Sequence, residues 1–463
     1  MPIRIVQTGL SIAILVTFTL IPVWYRLPTA LFGSSLYIAR FAILLPALLA
    51  IGLWLVSGLA GLRGLRQSRP GAHWALLLLV LALWMVSSGV WAFMRARQPD
   101  LTVNAGVSFG AAALFAIVVA CRAAPGTVVR ALAIALLFNS ALVIAQALNQ
   151  SDLGLRALGE FPFSPETRGA SVVVSGAWRY VRPYGLLPHP NIAAGSLLIG
   201  LCAAAALLFD PRRAWRATGL IGIGLGSAAL LLTFSRAAWV GAAVSGIAFL
   251  LAVYPLLRDR RSGRMLAITA GVVMIVGVIF IVSYRPLIAA RTGSGEESIE
   301  LRSVADRLVF TDFALRMIGE QPVLGVGAGN FPWRSAFYLR QTFYDLLGDN
   351  VHLVYLLAAA ETGLVGVGLL IGALIAGVWG AVRAIRRSQG GERAARGALL
   401  AGALALAVIG LFDHYPHTIL HMQIAWWGMI GAAIAPGYGS RSATGHDAIA
   451  VPSSVSVIVP SAG

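Results

Sequence analysis

The sequence predicts an all-α polytopic membrane protein of about twelve transmembrane helices, and three observations carry that expectation. Hydrophobic residues make up 58% of the chain and charged residues 11%, with a mean hydropathy of +0.82. Ordinary soluble domains carry about 25% charged residues, so a chain this poor in charge cannot coat a water-soluble surface. Apolar windows of the length needed to cross a bilayer recur from one end of the 463 residues to the other. The arginines, finally, sit in short connectors between those windows, and mostly in every second one.

The windows lie near 5–22, 38–62, 73–93, 103–121, 128–148, 191–209, 217–233, 236–254, 266–283, 352–383, 396–413 and 418–435. Almost nothing separates the two that flank Ser235-Arg236, which admits two short helices meeting at a tight turn inside the membrane. The window at 352–383 is too long for one straight span. It contains Glu361-Thr362-Gly363, and the glycine predicts a half-helix before it and a true span after it. At the N-terminus one basic residue, Arg4, precedes the apolar run from Ile5 to Ile21, with no small-residue cleavage site after it, so the run reads as an uncleaved first span.

Orientation follows from the connectors. Arg63, Arg66 and Arg69, Arg122 and Arg130, Arg212, Arg213 and Arg216, the cluster from Arg258 to Arg264, and that from Arg383 to Arg396 all fall on one side. The other side's short connectors hold only Arg26, Arg95, Arg97 and Arg236. The positive-inside rule puts the first group, and with an even number of spans both termini, in the cytoplasm. The organisation is then nine spans over 1–283 with an outer loop at about 149–190, a large outer loop with amphipathic helices over 284–350, three spans over 351–436, and a disordered cytoplasmic tail over 437–463.

Most of the acidic residues fall in those two outer loops, which marks them as aqueous. In the second, Val304, Leu308, Leu315 and Ile318 recur at near-helical spacing. After the breaker cluster Gly325, Gly327 and Gly329 come Phe331, Trp333, Phe337, Tyr338, Phe343 and Tyr344, residues suited to the outer membrane–water interface. The formal net charge is +17 and the basic residues are all Arg. Their place in connectors points to anionic headgroups as partners and not to nucleic acid. Cys121 and Cys202 lie on different apolar windows and predict no disulfide framework.

In so apolar a chain, ionisable groups at span ends are functional candidates by default. Five places on the outer side stand out: Arg182-Pro183-Tyr184-Gly185 with His189-Pro190-Asn191; Ser235-Arg236; Arg307 and Arg316; His352 with Glu361; and Asp413 with His414, His417 and His421. Arginines and a histidine converging on one face suggest an anionic ligand reached from the membrane, since guanidinium binds phosphate bidentately at any working pH. Departure of a diphosphate from a lipid carrier suits them, with His352 removing a proton from an acceptor hydroxyl. Plainer readings stand beside these. Arg182 and Arg236 also fit headgroup snorkelling, and His352 a helix cap. Glu361, nine positions after His352, faces away from it and fits a structural role for freed backbone donors near Gly363. Pro416 argues against metal at His414, His417 and His421, and the three glycines of 325–329 fit a turn.

Arg182-Pro183-Tyr184-Gly185 with Pro190-Asn191, Leu232-Thr233-Phe234-Ser235-Arg236, Pro322-Val323-Leu324-Gly325-Val326-Gly327, His352, and Ala360-Glu361-Thr362-Gly363-Leu364-Val365-Gly366 together resemble the successive signatures of the O-antigen ligase and polymerase superfamily. The resemblance covers about 180–370. It implies a GT-C-like, metal-independent glycosyltransferase, without cofactor, at the periplasmic face of the bacterial inner membrane. Its partners would be a polysaccharide on undecaprenyl diphosphate as donor, lipid A-core as acceptor, and membrane lipid. Carried over by position, His352 is catalytic, Arg182 and Arg236, with Arg307 and Arg316, hold the diphosphate, and Glu361, Asp413, Tyr184 and Ser235 support them. An O-antigen polymerase and a protein O-oligosaccharyltransferase share the scaffold. A transporter of lipid-linked sugar would instead want charges along a transmembrane path, whereas these cluster on one face.

Overall fold

Every apolar window of the sequence holds a helix. The structure, a computed structural model, describes residues 2–24, 41–95, 98–291, 298–340 and 349–436. The tail beyond 436, Phe343 and Tyr344 lie outside the described residues. In chain order the helices are α1 (Pro2–Thr19), α2 (Phe41–Val56), α3 (Leu62–Gln67), α4 (Arg69–Arg95), α5 (Pro99–Arg122), α6 (Pro125–Asn149), α7 (Pro190–Leu207), α8 (Arg213–Leu232), α9 (Arg236–Val253), α10 (Arg260–Arg291), α11 (Ser298–Glu320), α12 (Phe331–Leu339), α13 (Val354–Arg387), α14 (Gly390–Ile409), α15 (Tyr415–Thr418) and α16 (Leu420–Ile434).

Eight of them, α4 to α10 and α13, are long and apolar enough to cross a membrane among the described residues. The count of about twelve is therefore not reached by that measure: α1 and α2 are shorter apolar helices, and α14 and α16 fill the last two windows as buried elements. Both helices flanking Ser235-Arg236 reach spanning length. The apolar exteriors of α8, α9 and α10, with Ile221, Ile247, Leu251, Met274 and Val282 exposed, match a lipid-facing surface. Inside, α14 packs on α9, α7 and α16, and α5 packs on α4 and α16.

Four local features shape the end of the bundle that the arginine pattern predicts to face outward, the outer end. In the first outer loop an antiparallel hairpin, β1 (Val172–Ser175) and β2 (Trp178–Val181), pairs Val172 with Val181 and was not anticipated by an all-α reading. Its Trp178 and Tyr180 pack on Tyr284, where α10 departs from helical angles two residues before Pro286, a residue that cannot donate to the preceding turn. The helix resumes and runs to Arg291, past the expected end of the span at 283. Between α8 and α9, Phe234 takes a left-handed φ of 50° and is fully buried against Tyr180, Trp239 and Phe280.

In the second loop, α11 forms as expected, but it buries a different face. Phe310, Phe313, Ala314 and Met317 point inward at i, i+3, i+4 and i+7, while Leu308 and Leu315 are 66% and 57% exposed. The bulkier aromatic stripe outcompetes the aliphatic one. On α12, Trp333 and Phe337 are exposed as an interfacial segment requires, whereas Phe331 and Tyr338 are buried.

The fourth feature is the break in α13 at Gly363 (φ 70°, ψ −177°), which divides a short outer arm from the longer span. The glycine turn 325–329 docks there: Val326 N–H donates to Ala360 O, Gly327 N–H to Glu361 O and Leu364 N–H to Pro322 O. A Cβ on Gly363 would stand 2.0 Å from Val323 O, and one on Gly325 would stand 2.4 Å from the Glu361 carbonyl. Contact this close, with a positive φ, admits glycine only. Gly363→Ala should therefore lose roughly 1–3 kcal/mol or more of stability, whereas Gly368→Ala, with nothing within 4 Å of its Cβ, should be near neutral. Thermal unfolding of the detergent-solubilised variants checks this, and an unchanged midpoint for Gly363→Ala contradicts it.

Candidate active site

Arg182 follows β2 and is only 3% exposed. Its guanidinium has five donors, and each of its nitrogens uses at least one inside the protein. Nε donates to Thr233 O at 2.6 Å, Nη1 to Ser171 Oγ at 2.9 Å and Nη2 to Asn191 Oδ1 at 2.5 Å. Asn191, in the first turn of α7, passes the connection on by donating from Nδ2 to Asp413 Oδ2 at 2.8 Å. The loop, α7, the α8–α9 turn and the last outer turn are thereby joined. Tyr184 supports the same knot: its hydroxyl accepts from Ser171 N–H at 2.9 Å, and its ring stacks on Phe163. Gln146 holds the turn beneath, accepting from Tyr184 and Gly185 N–H.

Two adjoining cavities open beside this knot. One, of about 400 Å³, is lined by Arg182, His189, Asn191, Asp349, His352, Asp413 and His414, with Arg291 and Arg307. The other, of about 250 Å³, shares Asn191, Arg291 and Arg307 and adds Ser235 and Arg236. Among the described residues, no acidic side chain lines the second. Three guanidinium groups converging on one cavity can hold a multiply charged anion. A cavity of about 400 Å³ at the opposite end of the bundle holds one arginine, Arg130, paired with Asp210 at 2.8 Å.

Arg236 opens α9 and donates to Arg291 O at 3.0 Å, and buried Arg291 donates from Nε to Phe234 O at 3.2 Å. Each arginine thus helps hold the element that carries the other. Ser235 is buried beside them at the start of α9.

The first cavity carries the titratable groups. Val354 N–H donates to Gly410 O at 2.7 Å, which brings the segment before α13 against the last outer turn. His352 and His414 consequently face each other edge to face with ring centroids 5.4 Å apart. Asp413 accepts from Asn191 and, through Oδ1, from His414 N–H at 2.9 Å. Burial pushes its carboxyl up, but His414, His352, His189 and the Asn191 hydrogen bond outweigh burial and hold it below the usual range. Burial lowers the His352 imidazole beneath 6.5, and His414 and Arg307 reinforce this against the opposing pull of Asp413 and Asp349. His352 is accordingly a neutral base at pH 7. Its Nδ1 has no hydrogen-bond partner among the described residues. Burial and Arg182 together push His189 down to about 3, and its Nδ1 accepts from Asn191 N–H.

Several expectations meet here and others do not. Arg182, Arg236, Arg307, His352, Asp413 and Ser235 line the two cavities, and Tyr184 stands directly behind them. Arg316 does not line either; it lies exposed on α11, paired with Asp312 at 2.8 Å. Glu361 serves a backbone role at another place than the Gly363 break: it accepts from Phe331 N–H at 3.0 Å and from Gly329 N–H, at the start of α12. His421 turns away to Val23 O and Trp24, so the triple-histidine spacing does not gather. Among the described residues, the side chains able to share a metal ion are instead Asp349, His352 and His414, with ligand atoms within 4.8 Å of one another. Arg291 was missed entirely. The apolar run Leu287 to Ala290 ahead of it was the available signal that the helix outlasts Pro286.

Residues 221–371 match the family model described as O-antigen ligase. The matched stretch is about a third of the chain. The matched stretch holds Arg236, Arg291, Arg307, His352 and Glu361, while Arg182 and Asp413 lie on either side of it. No curated protein matches the chain. The eight long apolar helices agree with a membrane protein.

The charge arrangement makes a testable statement about His352. A neighbouring carboxylate favours imidazolium, so Asp413→Asn, which keeps an acceptor for Asn191, should lower the His352 pKa further. Histidine NMR titration in micelles checks it; a value above 6.5 in the wild type, or a rise in the variant, contradicts the arrangement.

Proposed function

We propose that the protein transfers polysaccharide from undecaprenyl diphosphate to a sugar hydroxyl of lipid A-core, at the periplasmic face of the inner membrane. The observation that supports this most is that Arg236, Arg291 and Arg307 converge on one cavity opening onto the chamber that holds His352. The concentration of arginine in the opposite connectors supports the periplasmic side for this chamber.

In this reading the carrier enters laterally between spans and its diphosphate sits in the smaller cavity, with the glycan in the larger. The acceptor hydroxyl oxygen attacks the anomeric carbon. As the new C–O bond forms, the bond from that carbon to the diphosphate oxygen breaks, and undecaprenyl diphosphate departs with the electron pair. The hydroxyl proton passes to His352, whose depressed pKa keeps it free to accept. Guanidinium groups on the developing diphosphate charge stabilise the transition state by a few kcal/mol each, the usual scale for preorganised donors. Arg182, its nitrogens engaged with Thr233, Ser171 and Asn191, acts as a positioning residue behind this machinery. The chemistry as written needs no metal.

His352→Ala should lower transfer by about 10²–10⁴-fold while carrier binding persists; full activity would end the assignment. Arg291→Ala and Arg236→Ala should each weaken binding of undecaprenyl diphosphate by about ten- to hundredfold, the loss of a charged hydrogen bond worth roughly 1.5–3 kcal/mol. Arg316→Ala should leave it unchanged. Chelator treatment should not reduce transfer. Deleting the gene separates the activities that share the family: uncapped core with accumulated carrier-linked polymer indicates the ligase, core bearing a single repeat the polymerase, and normal lipopolysaccharide with an unglycosylated surface protein the protein-directed enzyme.

A further inference from the structure

A transferase with two substrates needs a second pocket, and a third outer cavity has the chemistry that the first two lack. It measures about 170 Å³ and is lined by Asn104, Ser108, Asn350, His417, Thr418 and Gln423. Among the described residues no arginine lines it, burial followed by His414 pushes His417 down to about 4, and the Glu361 carboxyl on its wall is engaged by the N–H groups of Phe331 and Gly329. Two of its polar side chains are almost wholly buried and incompletely satisfied: His417, 5% exposed, and Gln423, 4% exposed, leave Nδ1 and Oε1 without partners among the described residues. Buried polar atoms without partners are costly and mark places where a ligand or water completes the bonding. The mixture of amide, hydroxyl and imidazole groups, donors and acceptors without net cationic charge, suits vicinal hydroxyls and not phosphate.

Its position also fits. Thr418 on the wall of this cavity is hydrogen-bonded to His414 Nδ1 at 2.8 Å, and His414 stands against His352 on the wall of the large cavity. Asn350 and His352 belong to one short segment, with one side chain on each cavity. The arginine-lined chamber and this pocket therefore flank the histidine pair from two sides. Space limits the occupant: about 150 Å³ takes a single six-membered ring, and drug-sized ligands need roughly 300–1,000 Å³.

Resting on the transfer reaction proposed above, we propose that this cavity is the acceptor subsite and takes one uncharged pyranose ring of the acceptor saccharide, presenting its hydroxyl across Thr418 and His414 to His352. Ala105 lines the same cavity and Ser108 lies one helical turn further on α5, so Ala105→Leu and Ser108→Leu would fill it without touching an arginine. Asn350→Ala would remove a polar group from its loop side without adding bulk.

The test is steady-state kinetics of the full-length protein in liposomes, with undecaprenyl-diphosphate-linked polysaccharide as donor and purified lipid A-core as acceptor. Undecaprenyl diphosphate binding serves as the control for folding. The filled variants should raise the acceptor KM by about tenfold or more, and Asn350→Ala by a smaller factor, with the donor KM and carrier binding unchanged. Acceptor KM unchanged in both filled variants, or a donor KM that rises with it, overturns the assignment. Absence of any transfer by the wild type contradicts the underlying reaction instead, so the two failures are distinguishable.

Discussion

The outer end of this bundle depends on where one buried guanidinium sends its hydrogen bonds. Arg182 reaches the carbonyl of Thr233 in the α8–α9 turn, the hydroxyl of Ser171 beside the hairpin and the amide of Asn191 on α7, and Asn191 hands the link to Asp413. A charge as buried as this is tolerated only when its donors are matched. Because arginine does not deprotonate, the knot keeps its geometry at any pH at which the neighbouring histidines titrate. Its charge also contributes to keeping His189 neutral. The residue that sequence reasoning would first assign to phosphate thus holds the frame on which Arg236, Arg291 and His352 are arranged.

A second constraint places the histidine. The glycine turn at 325–329 can dock on α13 only because neither Gly325 nor Gly363 carries a Cβ, and Glu361, from the same break, caps α12. The outer arm of α13 is fixed by this contact at one end and by the Val354–Gly410 hydrogen bond at the other. His352 stands just before that arm, and His414 just after the helix that supplies Gly410. The long loop is therefore part of the site's construction, since Arg291 at the end of α10 and Arg307 on α11 both belong to it.

What could be read in the sequence was whatever depends on local pattern. Hydropathy located the helices, arginine asymmetry separated the two faces, and Glu361-Thr362-Gly363 marked the break in α13. Residues whose roles depend on distant partners were less legible. Asn191 and Asp413 are 222 positions apart, and no spacing rule links them. Arg291 lies past the apolar window that closes at 283, on the part of α10 that resumes beyond Pro286. The aliphatic positions of α11 hid its aromatic face, because side-chain size and not periodicity decides which of two stripes is buried. Arg316 has the same residue type and the same helix as Arg307, and only packing shows that it faces away.

A structure of the protein with undecaprenyl diphosphate bound measures the central claim most directly. The account expects both phosphates within hydrogen-bonding distance of the guanidinium groups of Arg236, Arg291 and Arg307, and the glycan-bearing phosphate on the side nearer His352. Phosphates seated instead against Arg130 and Arg216 at the opposite end of the bundle, or remote from His352, would contradict it.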